Sequence, residues 1–120
     1  METTAWASLL KTETDNNTLY RIRFNRLTSK LLDGVEWAYI NKTDKYLVIT
    51  PAADPGFKSP NMVHIVHKSD GRYIIAEMCM NRIVLHERII SGSFFGRSMR
   101  YKVKRDKTGR IYIELAGVVQ

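Results

Sequence analysis

The chain has 120 residues, with 19 Lys or Arg against 12 Asp or Glu, a formal net charge of +7, and 44% hydrophobic residues. That length suits one compact domain with a buried core, and these fractions exclude a wholly disordered chain. The surplus of cations turns attention to anionic partners.

Cys79 is the only cysteine and lies in the apolar run 74–80. It has no intramolecular disulfide partner, and a single buried thiol fits a reducing compartment. The first residues lack the basic, apolar and small-residue order of a signal peptide. No apolar run approaches the roughly 20 residues that span a bilayer. The expectation is a cytoplasmic protein with no membrane partner.

Trp6, Leu9 and Leu10 predict a short turn or strand that docks on the core, and residues 12–18 are polar turn formers. Tyr20, Ile22 and Phe24 then alternate with Arg21 and Arg23, the period of a half-buried strand with a cationic outer face. Leu27, Leu31 and Leu32 follow at helical spacing, with Thr28 or Ser29 as cap and Asp33-Gly34 as stop. Residues 35–41 and 46–50 are β-rich and separated by a short polar connection, which predicts a hairpin. Pro51, Pro55, Gly56 and Pro60 mark a linker.

Beyond it, residues 62–66 and 73–80 flank Asp70-Gly71, a tight-turn signal, and form a second hairpin. Leu85, Ile89 and Ile90 repeat the helical spacing up to Gly92, and residues 91–98 make a loop holding Phe94 and Phe95. The last hairpin pairs residues 99–104 with 110–115.

The halves echo each other. Asn25-Arg26 matches Asn81-Arg82, and Leu27, Leu31, Leu32 and Gly34 match Leu85, Ile89, Ile90 and Gly92 at a constant offset. Trp37, Tyr39, Leu47 and Ile49 match Tyr101, Val103, Ile111 and Ile113 at a slightly larger one. The expected fold class is α+β, mainly β, in a single compact domain over residues 1–120. Two strand-helix-hairpin units, 18–54 and 61–116, would pack about a pseudo-twofold axis, joined by the Pro-rich linker.

This order of elements, over about residues 19 to 115, resembles the swapped-hairpin DNA-binding fold of the AbrB and MraZ transcription-factor families. Gly109-Arg110-Ile111-Tyr112-Ile113 is similar to the families' Gly-Arg-hydrophobic run. In the families that run opens the unit and precedes Ile-Pro, whereas here it lies in the closing hairpin without Ile-Pro. The resemblance implies duplex DNA binding and a role in transcription regulation.

The residues themselves point to nucleic acid as well. Arg97, Arg100, Lys102, Lys104, Arg105, Lys107 and Arg110 gather around a single acid, Asp106. In a strand, Arg100, Lys102 and Lys104 share one face while Tyr101 and Val103 take the other, so the cations stand about 7 Å apart, on the order of the phosphate spacing. Arg21 and Arg23, with Arg26 and Arg82, extend this patch if the two halves pack together. The same row of cations can instead guard a sheet edge against aggregation. The alternative function is a small adaptor or inhibitor that docks an acidic protein surface or a protein–nucleic-acid complex. A homodimer is compatible with either.

No residue is assigned to catalysis, a metal or a cofactor, and the chain is expected not to be an enzyme. His64 and His67 are three positions apart and face opposite ways in a strand, with Cys79 the only thiol. Ser91, Ser93 and His86 carry no catalytic motif. Residues 92–97 could form a backbone nest for phosphate. Phe94 and Phe95 either cap the core or mark a partner contact. Trp6, Trp37 and Tyr39 are expected as core or interface aromatics.

Overall fold

Residues 7–10 alternate an inward Ala7 and Leu9 with an outward Ser8 and Leu10, and this period of two makes the first segment a full strand. The computed structural model describes residues 4–53, 59–97 and 99–118, with backbone alone at 117 and 118. The strands are β1 (Trp6–Glu13), β2 (Thr18–Phe24), β3 (Trp37–Lys42), β4 (Tyr46–Ala52), β5 (Met62–Asp70), β6 (Tyr73–Cys79), β7 (Arg100–Arg105) and β8 (Ile111–Val118). A short helix α1 (Arg26–Leu31) follows β2, a π turn (Arg82–His86) follows β6, and a 3-10 turn (Gly92–Phe94) precedes β7.

The strands close into an antiparallel barrel in the order β1-β2-β6-β5-β3-β4-β8-β7, with β7 returning to β1. This overturns the α+β expectation. Each half is hairpin, helical turn, hairpin, rather than strand, helix, hairpin. The opening strand was ambiguous because its outward positions include Trp6 and Leu10, which blur the alternation that charged residues would mark. The stretches 18–54 and 61–116 also interleave: β1–β2 lies between β6 and β7, and β3–β4 lies between β5 and β8. Exchanging β1–β4 with β5–β8 leaves the ring order unchanged.

Leu9, Ile22, Phe24, Ile40, Leu47, Ile49, Met78, Tyr101, Ile111 and Ile113 point inward and are buried. A barrel of eight strands is just wide enough for such side chains to fill it, so the interior is a packed core. Each fully buried large apolar side chain contributes on the order of 1.5–3 kcal/mol. Closure also gives every strand two neighbours. The cations of β7 therefore guard no open edge, because β1 pairs through Trp6, Ala7 and Ser8 with Lys102, Tyr101 and Arg100.

Several local expectations change. Asn25 caps α1 in place of Thr28 or Ser29, its Oδ1 accepting from the Thr28 amide at 3.0 Å. Ser29 is buried and its hydroxyl accepts from the Ala76 amide at 2.9 Å, fastening α1 to β6. The second helical spacing yields a single π turn closed by the Glu87 amide on the Arg82 carbonyl, 2.9 Å, so Ile89 and Ile90 lie beyond it. Pro51 belongs to β4 rather than to a linker. It stands past Ile49, where pairing with β8 ends, so its missing N–H removes no bond on that side. Residues 54–58 of the expected linker lie outside the described residues. Cys79 is exposed rather than buried, because Ala76 and Met78 take the inward positions of β6. Among the described residues no helix is long and apolar enough to cross a membrane.

Candidate nucleic-acid interface

Ser8 stands directly opposite Arg23 on β2 and opposite Arg100 on β7. Three adjacent strands thus present Arg100, Ser8 and Arg23 in one outward row, with the arginine Cα atoms about 10 Å apart. The small serine leaves a gap between two long side chains, and at 8% exposure it forms the floor of that gap. The result is a cleft of about 310 Å³.

Two further arginines reach the same cleft. Gly96 is pinned to β1 by its amide on the Leu9 carbonyl, 2.9 Å, and by its carbonyl accepting from the Lys11 amide, 3.0 Å, which stations Arg97 beside Leu10. Arg26 enters as the first residue of α1, placed by the Asn25 cap. The described lining residues include four arginines, Arg23, Arg26, Arg97 and Arg100, against one acidic residue, Asp70, with the Arg26 guanidinium itself lying on Tyr73 at the edge of the cleft. Asp70 meets Arg23 at 3.3 Å with both side chains largely in solvent, a pairing worth little. Trp6 supports Arg100, whose guanidinium carbon lies 4.4 Å from the indole centroid. The Asn25 side chain in turn holds the segment around Trp6, accepting from the Trp6 amide at 3.3 Å and donating to the Thr4 carbonyl at 2.8 Å.

The expected patch divides accordingly. Arg23, Arg97 and Arg100 meet in the cleft. Lys102 lies on the same outer face of β7, opposite Trp6. Arg21 faces outward but is occupied by Glu77 at 3.2 Å, where Lys68 also donates at 3.1 Å. Burial works against ionisation of Glu77, yet the hydrogen bond from Lys68 and the charge of Arg21 outweigh it and leave its pKa below the usual carboxylate value.

The far end of the last hairpin is a separate environment. Lys104 donates to the Tyr46 hydroxyl at 2.9 Å, which raises its pKa. Asp106 accepts from the Thr108 hydroxyl and amide, the Tyr112 hydroxyl, the Arg110 amide and Arg110 Nε. Those bonds, led by the one from the Thr108 hydroxyl, hold its carboxyl far below the usual range. Arg110 is therefore tied to its own turn, while Arg105 and Lys107 are exposed beside it.

Sequence reasoning read Trp6 as a core or interface aromatic and gave Ser8 no role. The signal that could have found them is a small residue flanked by aromatic and apolar outward positions, which marks the floor of a groove rather than a solvated face. The other candidates resolve differently. The amides of Phe94, Phe95 and Gly96 bond to chain carbonyls, and that of Ser93 bonds to the Ser91 hydroxyl, so these four are not available to a phosphate nest. Phe95 is buried against Tyr20, ring centroids 5.2 Å apart, and caps the core. His64 packs on Trp37, and His67 Nε2 donates to the Val35 carbonyl at 2.8 Å. Among the described residues no group of three or more His, Cys, Asp or Glu could hold one metal ion.

The chain matches no protein-family model, no curated protein and no solved structure.

Proposed function

We propose that the protein binds nucleic acid, seating the phosphate backbone in the cleft on the outer face of β7, β1 and β2. The observation that carries this is the convergence of Arg23, Arg26, Arg97 and Arg100 on that one cleft. Guanidinium groups donate two parallel N–H bonds to a pair of phosphate oxygens and are more weakly hydrated than ammonium groups. An arginine stacked on an indole keeps its N–H edges available for such contacts. The weak Asp70–Arg23 pair can be exchanged for a phosphate at small cost.

The barrel interior is apolar and the outer face of β7 carries cations, the reverse of a lipid-facing barrel; a cytoplasmic placement belongs to the same proposal. The strand-helix-hairpin order behind the AbrB and MraZ resemblance gives way to hairpin, helical turn, hairpin in a closed barrel, so a role in transcription regulation draws no support from it.

Anisotropy titration of a fluorescein-labelled oligonucleotide at rising salt tests the reading. Phosphate binding gives a linear fall of log affinity with log salt, with a slope of roughly 0.7 to 0.9 per engaged cation. A pull-down from nuclease-treated lysate separates the adaptor alternative. A stoichiometric acidic protein retained there, with no oligonucleotide binding even at low salt, would replace nucleic acid with a protein partner.

A further inference from the structure

Arg26 also walls a second pocket, of about 360 Å³, together with Lys30, His67, Arg72, Tyr73 and Ile74. The two depressions share that arginine, and both use the tip of the β5–β6 hairpin: Asp70 lies in one, Arg72 and Tyr73 in the other. Their chemistry differs. The first gathers arginines around a serine floor, whereas the second sets the exposed planar and apolar surface of Tyr73 and Ile74 beside Arg26, Lys30, Arg72, His67 and Asp33. Arg26 stacks on Tyr73 with its guanidinium carbon 3.7 Å from the ring centroid. Tyr73 and Ile74 are 42% and 54% exposed, large apolar groups that the barrel core does not account for.

A flat cation–aromatic stack beside a phosphate-sized charge cluster fits one kind of ligand group, a nucleobase still attached to its backbone. Base stacking on aromatic and arginine planes is how single strands are held, and it is largely indifferent to base identity. Duplex bases are already stacked and offer only their edges, so a duplex would fill the arginine cleft and leave the Tyr73 pocket empty. Asp33, also on the pocket wall, supplies an acceptor for a base amino group.

We infer that the ligand is single-stranded nucleic acid, with its backbone in the arginine cleft and one unpaired base in the adjoining Tyr73 pocket, an inference that rests on the phosphate cleft proposed above. The pocket lies at the small end of the range for ligand sites, in keeping with one ring system.

The test compares three probes by anisotropy at one low salt concentration: a short labelled single strand, the same strand annealed to its complement, and an abasic strand of equal length. The expected result is tightest binding of the single strand, with the duplex and the abasic strand each roughly tenfold weaker. Tyr73→Ala should cost the single strand roughly tenfold and leave the other two probes unchanged, while Tyr73→Trp retains the affinity. Tyr73 is exposed at a hairpin tip, so circular dichroism of both variants should stay native. Equal binding of all three probes, or a Tyr73→Ala loss shared by all three, would overturn the base pocket and leave the phosphate cleft standing. Failure of every probe to bind would remove both.

Discussion

Arg100 lies over Trp6, its guanidinium carbon 4.4 Å from the centre of the indole, and the contact joins β7 to β1 at the cleft. A cation held this way loses less freedom when it meets a phosphate than one on an unsupported stem. Trp6→Ala should therefore weaken oligonucleotide binding about three- to tenfold, while Trp6→Phe keeps part of the affinity. In a Trp37→Phe background, Trp6 is the only indole, and its fluorescence should change on adding oligonucleotide. A spectrum that is flat through saturation would place the ligand elsewhere.

Asn25 links fold and site. Its side chain accepts from the Thr28 amide at 3.0 Å, the Thr28 hydroxyl at 2.6 Å and the Trp6 amide at 3.3 Å, and it donates to the Thr4 carbonyl at 2.8 Å. With the residue 4% exposed, water cannot replace these partners. Asn25→Ala should lose about 2 kcal/mol in urea unfolding, the cost of a cap plus stranded polar groups. Because Trp6 and Arg26 both depend on it, affinity should fall as well, and Asn25→Asp should restore the cap without the donor to Thr4.

Glu77 predicts a pH dependence of stability. Its folded pKa is lowered overall, since Lys68 and Arg21 outweigh the effect of burial. A carboxylate of this kind contributes stability above its unfolded pKa of about 4.3 and loses it as pH falls through the lower folded value. Glu77→Gln should cost roughly 1–3 kcal/mol at neutral pH, because Arg21 and Lys68 lose their counter-charge. Urea midpoints of the two proteins should draw together below pH of about 4. A gap that stays constant from neutral to acid pH would show that Glu77 acts through packing alone.

What could be read from the residues follows the strength of the alternation. Arg21 and Arg23 between Tyr20, Ile22 and Phe24, and the cations between Tyr101 and Val103, marked β2 and β7 because charge and apolar groups exchange at every step. The hairpins at 42–46 and 70–73 were legible from turn chemistry, and Gly71 adopts the positive φ of 64° that its turn requires. β1 was obscured by its outward Trp6 and Leu10. The pairing of Ser8 with Arg23 was hidden with β1 itself, and that with Arg100 was not legible at all, since contacts between opposite ends of the chain leave no local period. The cations could thus be counted but not sorted: Arg97 and Arg100 line one cleft with Arg23 and Arg26, while Lys104 and Arg110 are engaged by Tyr46 and Asp106.

That sorting is tested most directly by comparing two triple variants of equal charge change, Arg23→Ala/Arg97→Ala/Arg100→Ala and Lys104→Ala/Arg105→Ala/Lys107→Ala, in salt-dependent oligonucleotide titrations. The cleft variant should lower the slope of log affinity against log salt by roughly two to three and abolish binding at moderate salt. The hairpin-tip variant should lower it by less than about one. Equal slopes for the two, or a larger loss from the hairpin tip, would contradict the cleft as the place where phosphate is held.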